Sequence, residues 1–392
     1  MRYLLLRLKR FCGFITGFVF FISGLFKLMD PVGAGLVMKE YYDFLHLGFL
    51  SFSSKYAGAA FALAEVIIGA GLIAGVWRRA MAQSAIVLQG FFTLLTVLLV
   101  IFNPEMDCGC FGEAIHLTHR QTLIKNIILL ALLLIYYFPR KHLGETTGKK
   151  YVSFAIVAVS AVAFGAYSWI YIPLVDYTAY KPGAELTLSA ETDTDEMYES
   201  VFIYEKDGVQ ETFTLGHLPD TSWTFISTQT RVIEGKEENH IGLSFYSVEN
   251  GEYMDSMAVE GKVMVVSVYN TDISEKAWRR IGNFVGNSDN AGFHTLLLCA
   301  SSAENIPASL KGSAYISDYK TLISLNRSNG GVTYFHNGVL IRKWADANSP
   351  SKKELTEVFA DDGTEILIDH ESKGSLAFQG FLLYVFAVML LL

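Results

Sequence analysis

The chain has 392 residues, of which 51% are hydrophobic and only 18% charged, with a mean hydropathy of +0.32. That balance, with apolar residues gathered in runs long enough to cross a bilayer, excludes a soluble cytosolic enzyme and a disordered regulator. The net charge of −8 divides unevenly: 15 Lys and Arg against 8 Asp and Glu up to Leu174, then 16 against 31 beyond it. The acidic second half argues against nucleic-acid binding, which needs a basic patch to neutralise phosphates.

Spans are predicted at 4–29, 56–77, 80–102, 122–138, 151–172 and 375–392. Each has roughly the 17–25 apolar residues needed to cross the hydrocarbon core. The first run follows Arg2, Arg7, Lys9 and Arg10 but ends at Lys27 and Asp30 without a small-residue cleavage site, so it reads as a retained helix and not a signal peptide. Basic residues fall on alternate ends of successive spans: the N-terminal cluster, Arg78-Arg79, and Arg140, Lys141, Lys149 and Lys150. All three groups can be cytoplasmic together. Loops 30–55 and 103–121 and the acidic segment 173–374 then lie on the outer face. The last span ends at Leu392 and reads equally as a tail anchor or a truncated helix.

Inside the membrane half, Glu65 sits mid-run in Phe61-Ala62-Leu63-Ala64-Glu65-Val66, and Lys27 closes Ser23-Gly24-Leu25-Phe26-Lys27. Charges in a span are costly and mark an ion pair, a proton path or a quinone site. Lys27 could equally snorkel to the outer interface. Gln89 could hydrogen-bond to either. Gly17, Gly24, Gly58, Gly69 and Gly71 fit close helix packing.

Of four cysteines, Cys12 and Cys299 read as small buried apolar residues. Cys108 and Cys110 lie in the outer loop Asn103-Pro104-Glu105-Met106-Asp107-Cys108-Gly109-Cys110-Phe111-Gly112-Glu113, in a compartment that favours disulfides. Gly109 permits the tight turn that a bond between them needs, and a strained bond across so small a ring is a labile one. A cycling dithiol and a static clip are both open here. His116 and His119 could complete a zinc set on paper, but the spacing is irregular and no metal is assigned.

The stretch from Phe21 to Pro31, with Glu40-Tyr41-Tyr42, resembles the opening of DoxX-family membrane proteins. Asp107-Cys108-Gly109-Cys110-Phe111-Gly112, followed by Leu117-Thr118 and Lys125-Asn126, is similar to the MauE (methylamine utilisation) branch, and the resemblance covers about 5–140. It implies an α-helical four-helix membrane bundle, distantly like vitamin K epoxide reductase, that assists disulfide formation in a periplasmic client protein. By that analogy Cys108 and Cys110 are the redox pair; Lys27 and Glu65 join them as candidate site residues from their place in the spans. No cofactor is fixed by these residues; a quinone is the candidate acceptor. The chain lacks the further Cys-x-x-Cys of vitamin K epoxide reductase-like enzymes, so complete quinone-linked catalysis is not implied.

In the second half, 201–204 and 211–215 read as a hairpin, 262–269 as a buried strand, 274–285 as a helix and 295–299 as a strand. A second hairpin turns at Asn337-Gly338. Strand–helix–strand followed by a hairpin is the order of an α/β thioredoxin-like domain. Its active-site place, Tyr269-Asn270-Thr271-Asp272-Ile273, has no cysteine, and Arg327-Ser328-Asn329-Gly330-Gly331 has no cis-proline. The domain therefore reads as a redox-dead binding module, with a bare structural domain as the close alternative. The whole resembles multidomain bacterial DoxX proteins with a periplasmic thioredoxin-like extension.

The expected division is 1–142 for the four-helix domain, 143–174 for a fifth span, 175–260 for a β-rich periplasmic segment, 261–370 for the thioredoxin-like domain and 374–392 for the last span. The expected protein is a multi-pass bacterial inner-membrane protein with a cytoplasmic N-terminus, embedded in the lipid bilayer. Its function reads as a redox accessory, a thiol–disulfide oxidoreductase if it is an enzyme, that passes oxidising equivalents through the dithiol to a client. The alternative is a non-catalytic scaffold with a structural Cys-Gly-Cys disulfide. Transport through the bundle has only Lys27 and Glu65 behind it.

Overall fold

The structure, a computed structural model, describes residues 2–104, 106–138, 146, 148–187, 198–206, 209–214, 223–232, 240–248, 251–300 and 305–391. Arg140 and Lys141, the hairpin turn at 207–208 and the last residue of its second strand, Leu215, lie outside them.

The membrane part opens with α1 (Arg2–Met29), α2 (Pro31–Phe44) and a 3-10 turn at Gly48–Ser53. It continues with α3 (Ser54–Ala74), α4 (Arg78–Phe102), the short strand β1 (Cys110–Glu113), α5 (His119–Tyr137) and α6 (Gly148–Ile170). Among the described residues six helices are long and apolar enough to cross a membrane, the sixth being the C-terminal one. α1 and α3 approach most closely where side chains are smallest. A Cβ at Gly24 would come within 2.6 Å of the Ala62 carbonyl oxygen, and one at Gly69 within 2.6 Å of that of Gly17. Small residues thus let two backbones meet where a larger side chain would hold them apart.

Cys12, Phe20, Ile68, Leu72, Ala85, Leu133 and Tyr136 form one core shared by α1, α3, α4 and α5. The opposite side of α1 and α3 packs on α6 and the last helix through Phe21, Leu25, Val66, Val157, Phe164 and Val385. Val87, Leu94, Ile101, Ile124 and Ile127 are exposed, an outward apolar surface that only a bilayer would solvate. At one end of the bundle the Thr146 hydroxyl donates to the Gly75 carbonyl at 2.7 Å. That bond brings Arg78-Arg79 and Lys149-Lys150 to the same end, as the alternation of charges predicts.

The segment 30–55, expected as a plain loop, contains α2. Asp30 caps it by accepting from the Gly33 N–H at 2.8 Å, and Pro31 occupies the first turn, where a missing N–H costs nothing. At 1.5 Å per residue its 14 residues reach about 21 Å, too short to cross the hydrocarbon core. It packs across α3 at the far end of the bundle.

Beyond α6 come β2 (Glu185–Leu186) and a three-stranded antiparallel sheet of β3 (Tyr198–Lys206), β4 (Val209–Thr214) and β5 (Thr224–Val232), with β3 central. The β3–β4 pairing is the first expected hairpin. An α/β domain follows: β6 (His240–Ile241), β7 (Phe245–Ser247), β8 (Lys262–Val268), α7 (Glu275–Ala291), β9 (His294–Cys299), β10 (Ala314–Ser317), α8 (Tyr319–Leu325), β11 (Gly331–His336), β12 (Val339–Trp344) and α9 (Lys352–Ala360). The eight-stranded order is β6-β2-β12-β11-β8-β9-β10-β7. β8 and β9 are parallel, while β11 runs antiparallel to β8 and turns into β12 at Asn337-Gly338, both at positive φ.

Helices cover both faces, which is why β8 is a continuous run of buried residues. Val266, Val268, Trp278, Ile281, Leu297 and Trp344 fill one side; Val263, Val265, Leu296, Leu322 and Phe335 fill the other. Ser274 caps α7 through the Ala277 N–H, and Gly292 closes it in the left-handed region.

The last helix, α10 (Gly363–Leu391), starts twelve residues before the expected span. No proline interrupts the segment, so one rod runs through both environments. Its first turns pack Ile366 and Leu367 on the α/β core, and its later ones pack Phe378 and Val385 on α1 and α6. Phe381 stacks on Phe164 with ring centroids 4.7 Å apart.

Candidate functional site

The Cys108-Gly109-Cys110 loop lies at the end of the bundle opposite the basic residues. Gly109 has φ +59, and a Cβ there would overlap Val37 of α2, so backbone conformation and space both require glycine. Two helices hold the carbonyls on either side of it. Tyr41 Oη of α2 donates to the Cys108 carbonyl at 3.0 Å, and Ser23 Oγ of α1 lies 2.6 Å from that of Cys110. All four cysteines are free thiols. Cys108 is buried and Cys110 half-buried. Burial pushes the Cys108 thiol up, while Thr122 and the charge of Lys125 pull it the other way without cancelling. Burial also raises the Tyr41 hydroxyl, so Tyr41 stays a proton-bearing donor.

Both cysteines line a cavity of about 410 Å³ between α1, α2, α3, α4 and α5. Phe61, Phe91, Phe92 and Leu95 supply apolar lining, and Ser23, Lys27, Glu65, Gln89 and Asn126 supply polar lining. Lys27 Nζ meets Glu65 Oε1 at 2.5 Å, with Glu65 2% exposed. Lys27 also lies over the Phe92 ring at 5.4 Å. Of the two readings of Lys27, the structure shows the ion pair. Ser23 Oγ is 2.7 Å from Glu65 Oε2 as well as touching the Cys110 carbonyl. One hydroxyl has one proton to donate, so Ser23 is shared between the Glu65 carboxylate and the Cys110 carbonyl.

Gln89 departs from expectation. Its Nε2 donates to the Asn126 carbonyl of α5 at 3.2 Å and not to Lys27 or Glu65. Asn126 in turn donates to Thr96 Oγ1 at 2.9 Å. The polar positions of α4 and α5 satisfy one another, which leaves the Lys27–Glu65 pair to balance its own charge. His119 lies 2.9 Å from the Met106 carbonyl, and His116 lies beside Asp107 and Glu113 on the exposed side. Among the described residues no group of three or more His, Cys, Asp and Glu could hold a metal ion.

The α/β domain meets this loop. Arg327, whose side chain is 4% exposed, donates from Nε to Asp30 at 2.8 Å and from Nη2 to Glu113 at 2.9 Å. Burial works against its charge, but the two carboxylates outweigh it and raise the guanidinium further. Tyr269 Oη donates to the Arg327 carbonyl at 3.0 Å. The segments around Tyr269 and Arg327 therefore both face the membrane part. A second buried pair, Lys343 with Asp176 at 2.6 Å, ties β12 to the exit of α6. Cys299 is fully buried, and its thiol is pushed up to about 12 by burial, which marks it as core.

Ser23, Tyr41, Asp30, Glu113, Asn126 and Arg327 join the site without having been assigned a role from sequence. The available signal was weak: a polar residue in an apolar run (Ser23, Asn126) and an arginine after the apolar turn Leu322–Leu325.

Residues 3–139 match the family model described as Methylamine utilisation protein MauE, nearly the stretch over which the Cys-Gly-Cys motif carries its resemblance. Residues 198–235, covering the three-stranded sheet, match a domain of unknown function (DUF8463). No curated protein and no solved structure matches the chain.

Proposed function

Since residues 3–139 are a MauE-family membrane domain, we propose that this protein is a redox accessory of the bacterial inner membrane that passes oxidising equivalents from the Cys108–Cys110 pair to a periplasmic client. The family implies a membrane protein concerned with maturation in methylamine utilisation; no residue described above recognises methylamine itself. The observation that carries the redox reading is that both cysteines line one largely apolar cavity together with a buried Lys27–Glu65 pair.

In the oxidised form a client thiolate attacks Cys110, the more accessible sulfur, and Cys108 leaves with a proton. A second client thiolate then attacks the client sulfur of the mixed disulfide and releases Cys110. The client gains a disulfide, and the protein is left with two thiols. Cavity volume, aromatic walls and convergent polar groups fit a quinone ring between α1 and α4, with the remaining N–H donors of Lys27 and Gln89 as the groups that would hold it. A quinone bound there would supply a two-electron, two-proton acceptor for regenerating the disulfide. Glu65 and Ser23 form the hydrogen-bonded route along which the chain's own groups move a proton away from the Cys110 turn.

The grouping of basic residues at the opposite end supports an orientation with the dithiol, α2 and the α/β domain on the periplasmic side. The central order β9-β8-β11-β12 with α7 after β8 supports a thioredoxin-like reading of that domain. It has no thiol at the reactive place, so it acts as a docking module and not as a second redox centre.

Thiol trapping in isolated membranes tests the reading. A cycling pair gives a mixed population that shifts with added quinone or dithiol, and Cys108→Ser with Cys110→Ser abolishes client oxidation at normal protein level. A fully oxidised pair that resists mild reductant would leave a structural clip on a membrane scaffold.

A further inference from the structure

Arg327 reaches the dithiol from far along the chain: 297 residues separate it from Asp30 and 214 from Glu113. The two carboxylates are not equivalent surface acids. Asp30 caps the start of α2, the helix whose Tyr41 holds the Cys108 carbonyl. Glu113 ends β1, the strand that begins at Cys110. One guanidinium therefore joins the two segments that fix the two ends of the Cys-Gly-Cys turn. Its third arm is also occupied, with Nη1 donating to the Ile323 carbonyl at 3.2 Å. Each nitrogen has its own acceptor in a different direction, which a planar fork can serve and an ammonium cannot.

We propose that Arg327 is a positioning residue for the Cys108-Gly109-Cys110 dithiol, through which docking of the C-terminal domain sets how far the two thiols are open to water-borne partners. The proposal rests on the redox reading of that dithiol and adds to it a task for the otherwise unreactive domain. Without the guanidinium, Glu113 loses its strongest anchor, and β1 keeps the Ser23 contact at its first residue and the Lys125 ammonium over the Phe111 ring at 4.9 Å. The domain itself stays attached through Lys343–Asp176 and the continuous helix α10, so loosening is confined to the turn.

The test uses the full chain in membranes, fully reduced, with a charged, water-soluble maleimide as probe. Arg327→Gln should raise the alkylation rate of Cys110 by on the order of tenfold, since one strong anchor restrains local opening by about that factor. Arg327→Lys, which keeps charge but not the fork, should fall between the two. A merely structural role would lower the melting point or the amount of protein and leave the ratio of Cys110 to Cys108 alkylation unchanged in the folded fraction. Should Arg327→Gln fail to accumulate, Glu113→Gln, at a half-buried carboxylate, should show a smaller rise of the same sign. Folded variants that alkylate at the wild-type rate would overturn the proposal. Failure of the redox reading is separately visible as a wild-type pair that does not respond to quinone or dithiol, because alkylation of the reduced thiols needs no turnover.

Discussion

The bundle and the α/β domain use polar residues in opposite ways. Around the cavity, Lys27, Glu65, Ser23, Gln89 and Asn126 are brought inward from apolar helices, where each costs desolvation that only specific partners offset. In the α/β domain the core between sheet and helices is almost wholly apolar, and its charged groups Arg327 and Lys343 turn toward the membrane part. Costly groups inside a core point to chemistry or binding, whereas groups kept at a rim point to a contact. The contrast supports the proposed division, with reactivity in the bundle and docking in the domain.

The sharpest way to break that contrast is to remove one charge from inside the bundle. Lys27→Met leaves Glu65 buried and unpaired, and breaking a buried pair costs about 3–5 kcal/mol. The single variant should accumulate poorly and melt well below the wild type in detergent. Lys27→Met combined with Glu65→Met removes both charges and should recover most of that stability, while still failing to turn over the dithiol. If the double variant melts as low as the single one, the pair is not what holds this end of the bundle, and the cavity loses its claim to be a site.

The rim contact gives a smaller, pH-dependent effect. Burial opposes the charge on Asp176, but the Lys343 ammonium, its hydrogen bond and those from Thr178 outweigh it and hold Asp176 below the usual carboxylate range. A depressed folded-state value means that the contribution is complete above the ordinary Asp value of about 3.9 and is lost as pH falls through the lower folded one. Hydrogen exchange across 173–187 should therefore accelerate only below that ordinary value. Asp176→Asn should show the faster exchange already at neutral pH. Faster exchange near pH 6 would point to a histidine as the controlling group and remove this pair from the docking contact.

Much of the bundle was legible because its signals are local. Hydropathy marks the spans, and Cys-Gly-Cys marks the loop that Gly109 alone can shape. Glu65 stood out as a charge in an apolar run. The pairing choices were not legible. Nothing in the sequence around Gln89 distinguishes the Asn126 carbonyl from Glu65 as its partner, since that depends on how α4 is rotated against α5. Helix α2 was read as loop because its cap, Asp30-Pro31, ends one apolar run and opens another that looks too short to count. The early start of α10 is hidden for a related reason: 363–374 carries polar residues, and hydropathy marks only the greasy second half. Arg327 could not be assigned at all, because its partners lie in another part of the chain and arginine after a helix is ordinary.

The finest distinction lies between the two sulfurs themselves. Cys108 is buried, with its thiol raised by that burial, and Cys110 is half-buried. Thiolate is the reactive form, so less of Cys108 is competent at neutral pH. In the reduced wild type, Cys110 should be alkylated first, by on the order of tenfold at pH 7 given its access and the thiolate dependence of the reaction. The Cys108 rate should go on climbing beyond the ordinary thiol value of about 8.5. Lys125 opposes that upward shift, so Lys125→Gln should move the Cys108 profile further up in pH. Mass spectrometry of the singly labelled loop reads both rates in one sample. Cys108 reacting first would reverse the order of attack and make the buried sulfur the one that meets the client.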